Sequence, residues 1–265
     1  MDWLRKRYGD WALIAGAAEG IGAGFVRALA LRGFHIIMVD IKRNPMNALA
    51  EEIMRTCRTE VRTVHLDLSS ETAADSLMQE ISAFDCRLLI CVAAYSQVKP
   101  FLNNSKKDLD TYINLNNRMQ VHLIHGFAGR LAGLKKNGGI LLMSSLAGLL
   151  GPPLVAPYAA SKAFLIRLAE SLSMEFEPLG IDISVCCAGL TDTPTYRLNT
   201  PGFAQARLKP MDPIRVAEYA LRQLGRKTVS IAGPRNRFPL FVLSSLLPRS
   251  ISLRILSRTM NKMYG

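Results

Sequence analysis

This sequence predicts a doubly wound α/β fold, with a parallel sheet of about seven strands and helices on both faces. Three observations predict it. Short apolar runs alternate strictly with stretches of helical period. A glycine-rich turn, GAAEGIG at residues 16–22, follows the first apolar run. The second apolar run ends in an acid, Asp40. Parallel strands need crossovers, and helices in those crossovers cover both faces of the sheet. The length of 265 residues suits one large domain or two small ones, and a single domain spanning 1–265 is the expectation.

The first strand is Trp11 to Ala15 (WALIA), a buried apolar run. A helix follows through Phe25, Val26, Leu29 and Leu31 to Gly33. Strand, glycine-rich turn and helix together are a dinucleotide-binding start. Gly16, Gly20 and Gly22 let the backbone approach a pyrophosphate at the helix N-terminus, with Glu19 and Ile21 between them. His35 to Val39 is the second strand, and Asp40 at its end can accept hydrogen bonds from ribose hydroxyls. The same carboxylate repels a 2′-phosphate, which favours NAD, with NADP the alternative because Lys42 and Arg43 follow closely. A helix from Pro45 to about Arg58 carries Ala48, Leu49, Ile53 and Met54 on one side. Val61 to Leu66 is the third strand, ended by Asp67. Asp67 can take the adenine amino group or cap the next helix within LDLSS. A helix from Glu71 to about Ser82 leads to the fourth strand, Arg87 to Ala93. Leu109 to Leu134 is mostly helical, and Ile140 to Met143 is the fifth strand, ending at Ser144 and Ser145. A helix from about Val155 to Glu177 precedes the sixth strand, Ile181 to Cys187. Asp212 as N-cap and Pro213 in the first turn open a helix to Gly225, and Val229 to Ala232 is a last strand.

Ligands in such sheets bind at the carboxyl ends of the strands, where Gly16, Asp40, Asp67 and Ser145 all fall. Ser145 is followed thirteen residues later by Tyr158 and then, four on, by Lys162. Tyr158 and Lys162 at i, i+4 share one helix face. A phenol titrating at about 10 is a poor acid or base near neutrality. A cation about 4 Å away at an effective dielectric near 20 contributes about 4 kcal/mol, enough to move it by roughly three pH units. Ser145 can hydrogen-bond a substrate oxygen that Tyr158 protonates or deprotonates. The alternative for the pair is a surface tyrosine with a helix-pair lysine.

The net charge of +12 is uneven. From Arg197 onward there are thirteen Lys/Arg and two acids, Asp212 and Glu218. That asymmetry suits an anionic partner, whether a membrane surface, a phosphate-bearing substrate or nucleic acid, or a solvated basic face. Nucleic acid is disfavoured, because the basic tail lacks interleaved aromatics. Cys57, Cys86, Cys91, Cys186 and Cys187 have no metal-ligand spacing and sit in or beside apolar runs, so no metal is expected. His122 and His125, three apart, suit a structural role. The opening MDWLRKRYGD has no secretory apolar core, and a reducing, cytoplasmic setting is the expectation.

Taken in order, these motifs resemble the short-chain dehydrogenase/reductase family over roughly Tyr8 to Thr193. AGAAEGIG (15–22) is similar to the family's TGxxxGxG, with Ala15 for threonine. Ser145, Tyr158 and Lys162 match its catalytic spacing. CAGLTDTP (187–194) resembles PGxxxTP, with Ala188 for proline. The resemblance implies a Rossmann fold and hydride transfer between a nicotinamide cofactor and a secondary alcohol or ketone. It also implies that Thr193 contacts the carboxamide and that Lys162 holds the nicotinamide ribose. An asparagine from Asn114, Asn116 and Asn117 would relay protons, and counting back from Ser145 favours Asn116 over Asn114. The family's NNAG is Cys91-Val92-Ala93-Ala94 here, where small Ala93 still permits close approach of the adenosine. A homodimer or homotetramer follows by the same resemblance.

A substrate lid is expected at about 194–215. A basic, apolar extension occupies about 236–265, with FPLFVLSSLLP and an amphipathic run placing Ile251, Ile255, Met260 and Met263 against Arg254, Arg258 and Lys262. It suits peripheral membrane contact, closure over a lipid-like substrate or subunit packing. The substrate is therefore expected to be a bulky apolar alcohol or ketone, such as a steroid, acyl chain or polyketide-like compound. The rival is a non-catalytic dinucleotide-binding sensor or scaffold, motivated by the altered NNAG. Retention of Ser145, Tyr158 and Lys162 speaks against it.

Overall fold

The computed structural model describes residues 3–205, 209–233 and 247–264. Seven strands form one parallel sheet: β1 Trp11–Ala15, β2 His35–Asp40, β3 Val61–His65, β4 Cys86–Cys91, β5 Gly138–Ser145, β6 Ile181–Ala188 and β7 Val229–Ile231. Their order is β3-β2-β1-β4-β5-β6-β7, so the winding reverses at β1. The helices in chain order are α1 Trp3–Tyr8, α2 Gly20–Ala30, α3 Arg43–Thr56, α4 Ala73–Glu80, α5 Lys106–Ile113 and α6 Met119–Gly133. They continue as α7 Leu146–Leu150, α8 Ala156–Phe176, α9 Pro194–Asn199, α10 Gly202–Gln205, α11 Pro213–Gln223 and α12 Arg249–Tyr264. A π-helical segment, Asn114–Arg118, joins α5 to α6.

Alternation along the strands splits the core into two layers. Ala12 and Ile14 of β1 face α2, α3 and α11 with Phe25, Leu29, Leu49, Val216 and Leu221. Leu13 and Ala15 face α4, α6 and α8 with Leu77, Leu123, Phe127 and Leu165. Each such fully buried large side chain contributes about 1.5–3 kcal/mol. The buried face of α3 is Met46, Leu49, Ala50 and Ile53, whereas Ala48 and Met54 are exposed. The predicted stripe is therefore corrected by part of a turn, because the helix carries apolar residues on both sides and the sheet selects one.

The N-terminus is more structured than its polar composition predicts. α1 buries Leu4 and Tyr8, and the Tyr8 hydroxyl donates to Asp182 Oδ2 at 2.7 Å. Asp212 caps α11 as expected, accepting from the backbone N–H of Ile214 at 2.8 Å and Arg215 at 3.1 Å. Of the apolar run FPLFVLSSLLP, all but Leu247 and Pro248 lies outside the described residues. Among the described residues no helix is long and apolar enough to cross a membrane.

Candidate active site

The glycine turn is built between three strand ends. The backbone N–H groups of Gly16 and Ala17 donate to Val39 O at 2.8 and 3.1 Å, tying the turn to β2. Gly16 has φ +90°, and a Cβ there would lie 2.5 Å from Ala93 N. A Cβ on Gly22 would lie 1.8 Å from Gly16 O, so the start of α2 can close on β1 only without side chains. α2 has neither a side-chain cap at Glu19 nor an acid in its first turn, which leaves donors for an anion. Ile21 anchors the turn by packing on the first core layer. Glu19 instead pairs with Lys42 at 2.6 Å.

Asp40 reaches back under the turn. Its Oδ2 accepts from Ala18 N at 2.9 Å and its Oδ1 from Lys42 N at 3.0 Å. Each oxygen keeps a lone pair for a further donor. The cations expected to soften its preference are engaged elsewhere, Lys42 with Glu19 and Arg43 with the His65 ring at 3.1 Å. Asp67 is exposed, and its Oδ1 accepts from the backbone and hydroxyl of Ser69 at 2.8 and 2.7 Å. That is an Asx turn before α4, not the cap of the helix itself. Ala93 forms the opposite wall, held by its N–H to Ala15 O at 2.9 Å. The glycine cradle, the open end of α2 and the free lone pairs of Asp40 fit a dinucleotide.

Beside this turn stand Ser145, Tyr158 and Lys162. Ser145 ends β5 and caps α7, its Oγ accepting from Ala147 N at 3.2 Å. Lys162 is 3% exposed, with Nζ 5.5 Å from the Tyr158 ring centroid and donating to Met143 O at 2.8 Å. Burial pushes the Lys162 amine down to about 8. Burial also raises the Tyr158 phenol, against which a hydrogen bond with Ser145 pulls down. The expected fall of the phenol toward neutrality is thus corrected: desolvation is the larger effect here, and the lysine itself is depressed.

Three positioning residues escaped the sequence. A Cβ on Gly148 would lie 2.7 Å from Lys162 C, so glycine lets α7 rest on α8. Buried Ser144 donates to Lys162 O at 2.8 Å, and buried Ser161 donates to Tyr158 O at 2.8 Å. Their adjacency to Ser145 and Lys162 is the one signal that the sequence offered. Asn116, wholly buried in the π segment, accepts from Tyr95 N at 2.7 Å and donates to Tyr95 O at 2.9 Å and Ser161 Oγ at 3.1 Å. Asn114 and Asn117 are only half-buried, so of the three it is Asn116 that reaches α8.

Thr193 closes the cleft from β6. Its Oγ1 caps α9 by accepting from Tyr196 N at 3.1 Å, and its Cγ2 would meet a Cβ on Gly20 at 2.9 Å. The segment expected to form a substrate lid is pinned at two of its described residues. Asn199 Nδ2 donates to Ser96 O at 3.1 Å, and the Thr200 and Tyr264 hydroxyls lie 3.4 Å apart. Close along the chain from Ser96, Lys99 N donates to Leu154 O at 2.9 Å, and Leu154 holds the uncommon φ of +67°. His122 and His125 are exposed on α6, away from these contacts. Among the described residues no group of three or more His, Cys, Asp or Glu is placed to hold a metal ion.

The sequence pattern of the short chain dehydrogenase family matches residues 10–201. A 7beta-hydroxysteroid dehydrogenase from Collinsella aerofaciens is 30% identical over 237 residues, covering 88% of this chain and 90% of its own. A very-long-chain 3-oxoacyl-CoA reductase from Meyerozyma guilliermondii is 28% identical over 242 residues, covering 87% of this chain and 68% of its own. Among solved structures, one of a study of 7beta-hydroxysteroid dehydrogenase stereoselectivity superposes with a TM-score of 0.87 at 28% identity, over 96% of this chain and 98% of that one. A bulky-bulky ketone specific alcohol dehydrogenase from Comamonas testosteroni superposes with a TM-score of 0.75 at 25% identity, over 84% and 85%.

Proposed function

The chain belongs to the short chain dehydrogenase family of nicotinamide-dependent alcohol/ketone oxidoreductases, and from that premise we propose that it acts on a bulky apolar secondary alcohol or its ketone, with NAD(H) preferred. The observation that carries this is the meeting of Ser145, Tyr158 and Lys162 beside the glycine turn, at the carboxyl ends of the central strands. A steroid or a long acyl chain is the substrate class we favour, since relatives of both kinds are similar over most of the chain.

When bound, the cofactor supplies or accepts the hydride at the substrate carbon. Gly16, Gly20, Gly22 and the N-terminus of α2 would hold its pyrophosphate, Asp40 the adenosine ribose, and Ala93 the wall between. Asp67, Thr193 and Ile21 would frame its ends. Tyr158 gives its proton to the substrate oxygen during reduction and takes it back during oxidation. A phenol raised by burial is protonated at neutral pH, which suits reduction. Ser145 hydrogen-bonds the same oxygen and orients it. Lys162 places a cation under Tyr158 and steadies the phenolate left after proton transfer. Asn116 locks the loop at Tyr95 to α8 through Ser161, which fixes where Tyr158 stands. Asp40 would disfavour a 2′-phosphate by like charge, with the Lys42 side chain paired to Glu19 and the Arg43 side chain held on the His65 ring. A homodimer or homotetramer is the assembly we expect, because Ile113, Phe164 and Met174 stand exposed on α5 and α8.

The experiment is oxidation of NADH, then NADPH, with a panel of steroidal, acyl and small ketones, for wild type and Tyr158→Phe. Turnover of the large ketones with NADH is expected, lowered in the variant by about 10²–10⁴-fold. Equal turnover in the variant refutes the assignment of Tyr158. Turnover confined to small ketones refutes the substrate class, and preference for NADPH refutes the reading of Asp40.

A further inference from the structure

The last helix carries a surface that the proposed reaction does not use. α12 runs from Arg249 to Tyr264 with four cations, Arg249, Arg254, Arg258 and Lys262, and no carboxylate. At the helical period, Ser252, Leu256, Met260 and Met263 share one side. Ser252 is buried and the other three are half-buried, so this side faces the protein. Ile251, Arg254, Ile255, Arg258 and Lys262 share the opposite side, and all five are exposed. The sequence expectation placed the isoleucines against the cations. In the structure they stand among them, because the methionines, not the isoleucines, turn inward.

Among the described residues none of the four cations has an ion-pair partner. By contrast, Arg197 in α9 is paired with Asp192 at 2.8 Å. Ile251 and Ile255 are 42% and 40% exposed, within a row of unpaired positive charge. Two features thus coincide on one face: cations that lack anions, and apolar side chains that water solvates poorly. An aromatic that could stack on a base is missing from the outward side, since Tyr264 turns in toward Thr200. Phosphate charge with an apolar layer beneath it meets both needs, and a lipid headgroup surface offers that combination.

We propose that the outward face of α12 docks on an anionic bilayer, with Arg254, Arg258 and Lys262 on the headgroup phosphates and Ile251 and Ile255 at the acyl boundary. This goes beyond the reaction and holds whatever the substrate is. It brings the chain that follows α9 toward the membrane surface, because Tyr264 of α12 meets Thr200 there.

The test is co-sedimentation of the full chain with vesicles of phosphatidylcholine alone, and with about one third phosphatidylserine, at about 0.1 M salt where screening is moderate. Binding is expected only to the anionic vesicles, and it is expected to be lost at about 1 M salt, where the screening length is near 3 Å. The variant R254Q/R258Q/K262Q is expected to lower partitioning on the order of a hundredfold, at about a kilocalorie per basic residue. A control of equal charge change on other exposed sites, R55Q/R58Q/K106Q, is expected to bind within a few-fold of wild type. I251N/I255N is expected to weaken binding without changing its salt dependence. All of these positions are exposed, so melting temperatures and ketone turnover in solution stay at wild-type values. The proposal is overturned by equal binding to both vesicle types, or by a control that falls as far as the α12 variant. It is also overturned if the face binds duplex DNA more tightly than vesicles at the same salt, or if sedimentation shows it joining two copies of the chain.

Discussion

Lys162 is a charge that the fold bears at a cost, and removing it is expected to stabilise the protein at neutral pH. Its amine falls from 10.5 to about 8, with burial as the leading cause and the neighbouring Cys91 and Cys187 opposing. At 1.36 kcal/mol per pH unit that step is about 3 kcal/mol. The sign follows from proton counting. Between about 8 and 10.5 the unfolded chain holds the proton and the folded chain does not, so stability rises with pH across that window. Below 8 the full penalty is present. Lys162→Met removes the charge and keeps the volume, but loses the bond from Nζ to Met143 O at 2.8 Å. That loss costs about 1–2 kcal/mol. The net is a gain of about 1–2 kcal/mol at pH 7, or roughly 2–4 °C in melting temperature for a chain of this size. Above pH 10.5 the penalty is gone and the variant is expected to melt below wild type. Thermal melts of both proteins at pH 7, 9 and 10.5 measure this directly. A variant less stable at pH 7, or a difference that does not change with pH, would falsify the burial argument.

Three further perturbations test other parts of the structure. Gly22→Ala puts a methyl 1.8 Å from the Gly16 carbonyl, so the turn must open. Titration by NADH fluorescence is expected to show binding weakened by at least tenfold, and an unchanged affinity would refute the cradle. Tyr8→Phe removes the hydroxyl that donates to Asp182 at 2.7 Å and is expected to cost about 1.5–3 kcal/mol by urea unfolding. Asp212→Ala leaves two N–H groups of α11 without their cap and is expected to cost about 1 kcal/mol. A loss too small to measure there would mean that water replaces the cap.

What the sequence made legible was whatever is written locally. β1 was found at its bounds because WALIA is an unbroken apolar run stopped by a glycine that must take positive φ. Asp212-Pro213 announced α11 because cap and first-turn proline sit side by side. Ser145, Tyr158 and Lys162 were candidates through their spacing together with the family resemblance, and the fold places the three side chains near one another. The π segment at Asn114–Arg118 was not legible, since one extra residue per turn has no compositional mark and is fixed by what Asn116 meets across the cleft. The direction of the Tyr158 shift was missed for a related reason: the sequence shows a cation four residues away but not how much water surrounds the phenol. The facing of α3 and α12 was misjudged because both carry apolar residues on two sides, and only the packed partner decides which side is inward.

The place of β1 in the sheet has a consequence for how the chain comes to its shape. β1 is made first, yet it lies in the interior of the sheet, between β2 and β4. Its partner on one side, Cys86–Cys91, follows only after two further strands and their helices. Until then one edge of β1 is an open row of donors and acceptors, which invites wrong pairing during synthesis. The entropy of closing so long a loop grows only logarithmically with its length. The toll is therefore paid in time, as is usual for sheets of distant parallel strands. Ala93 meets Gly16 only once β4 has docked, so the wall of the proposed nucleotide cradle depends on that long-range pairing.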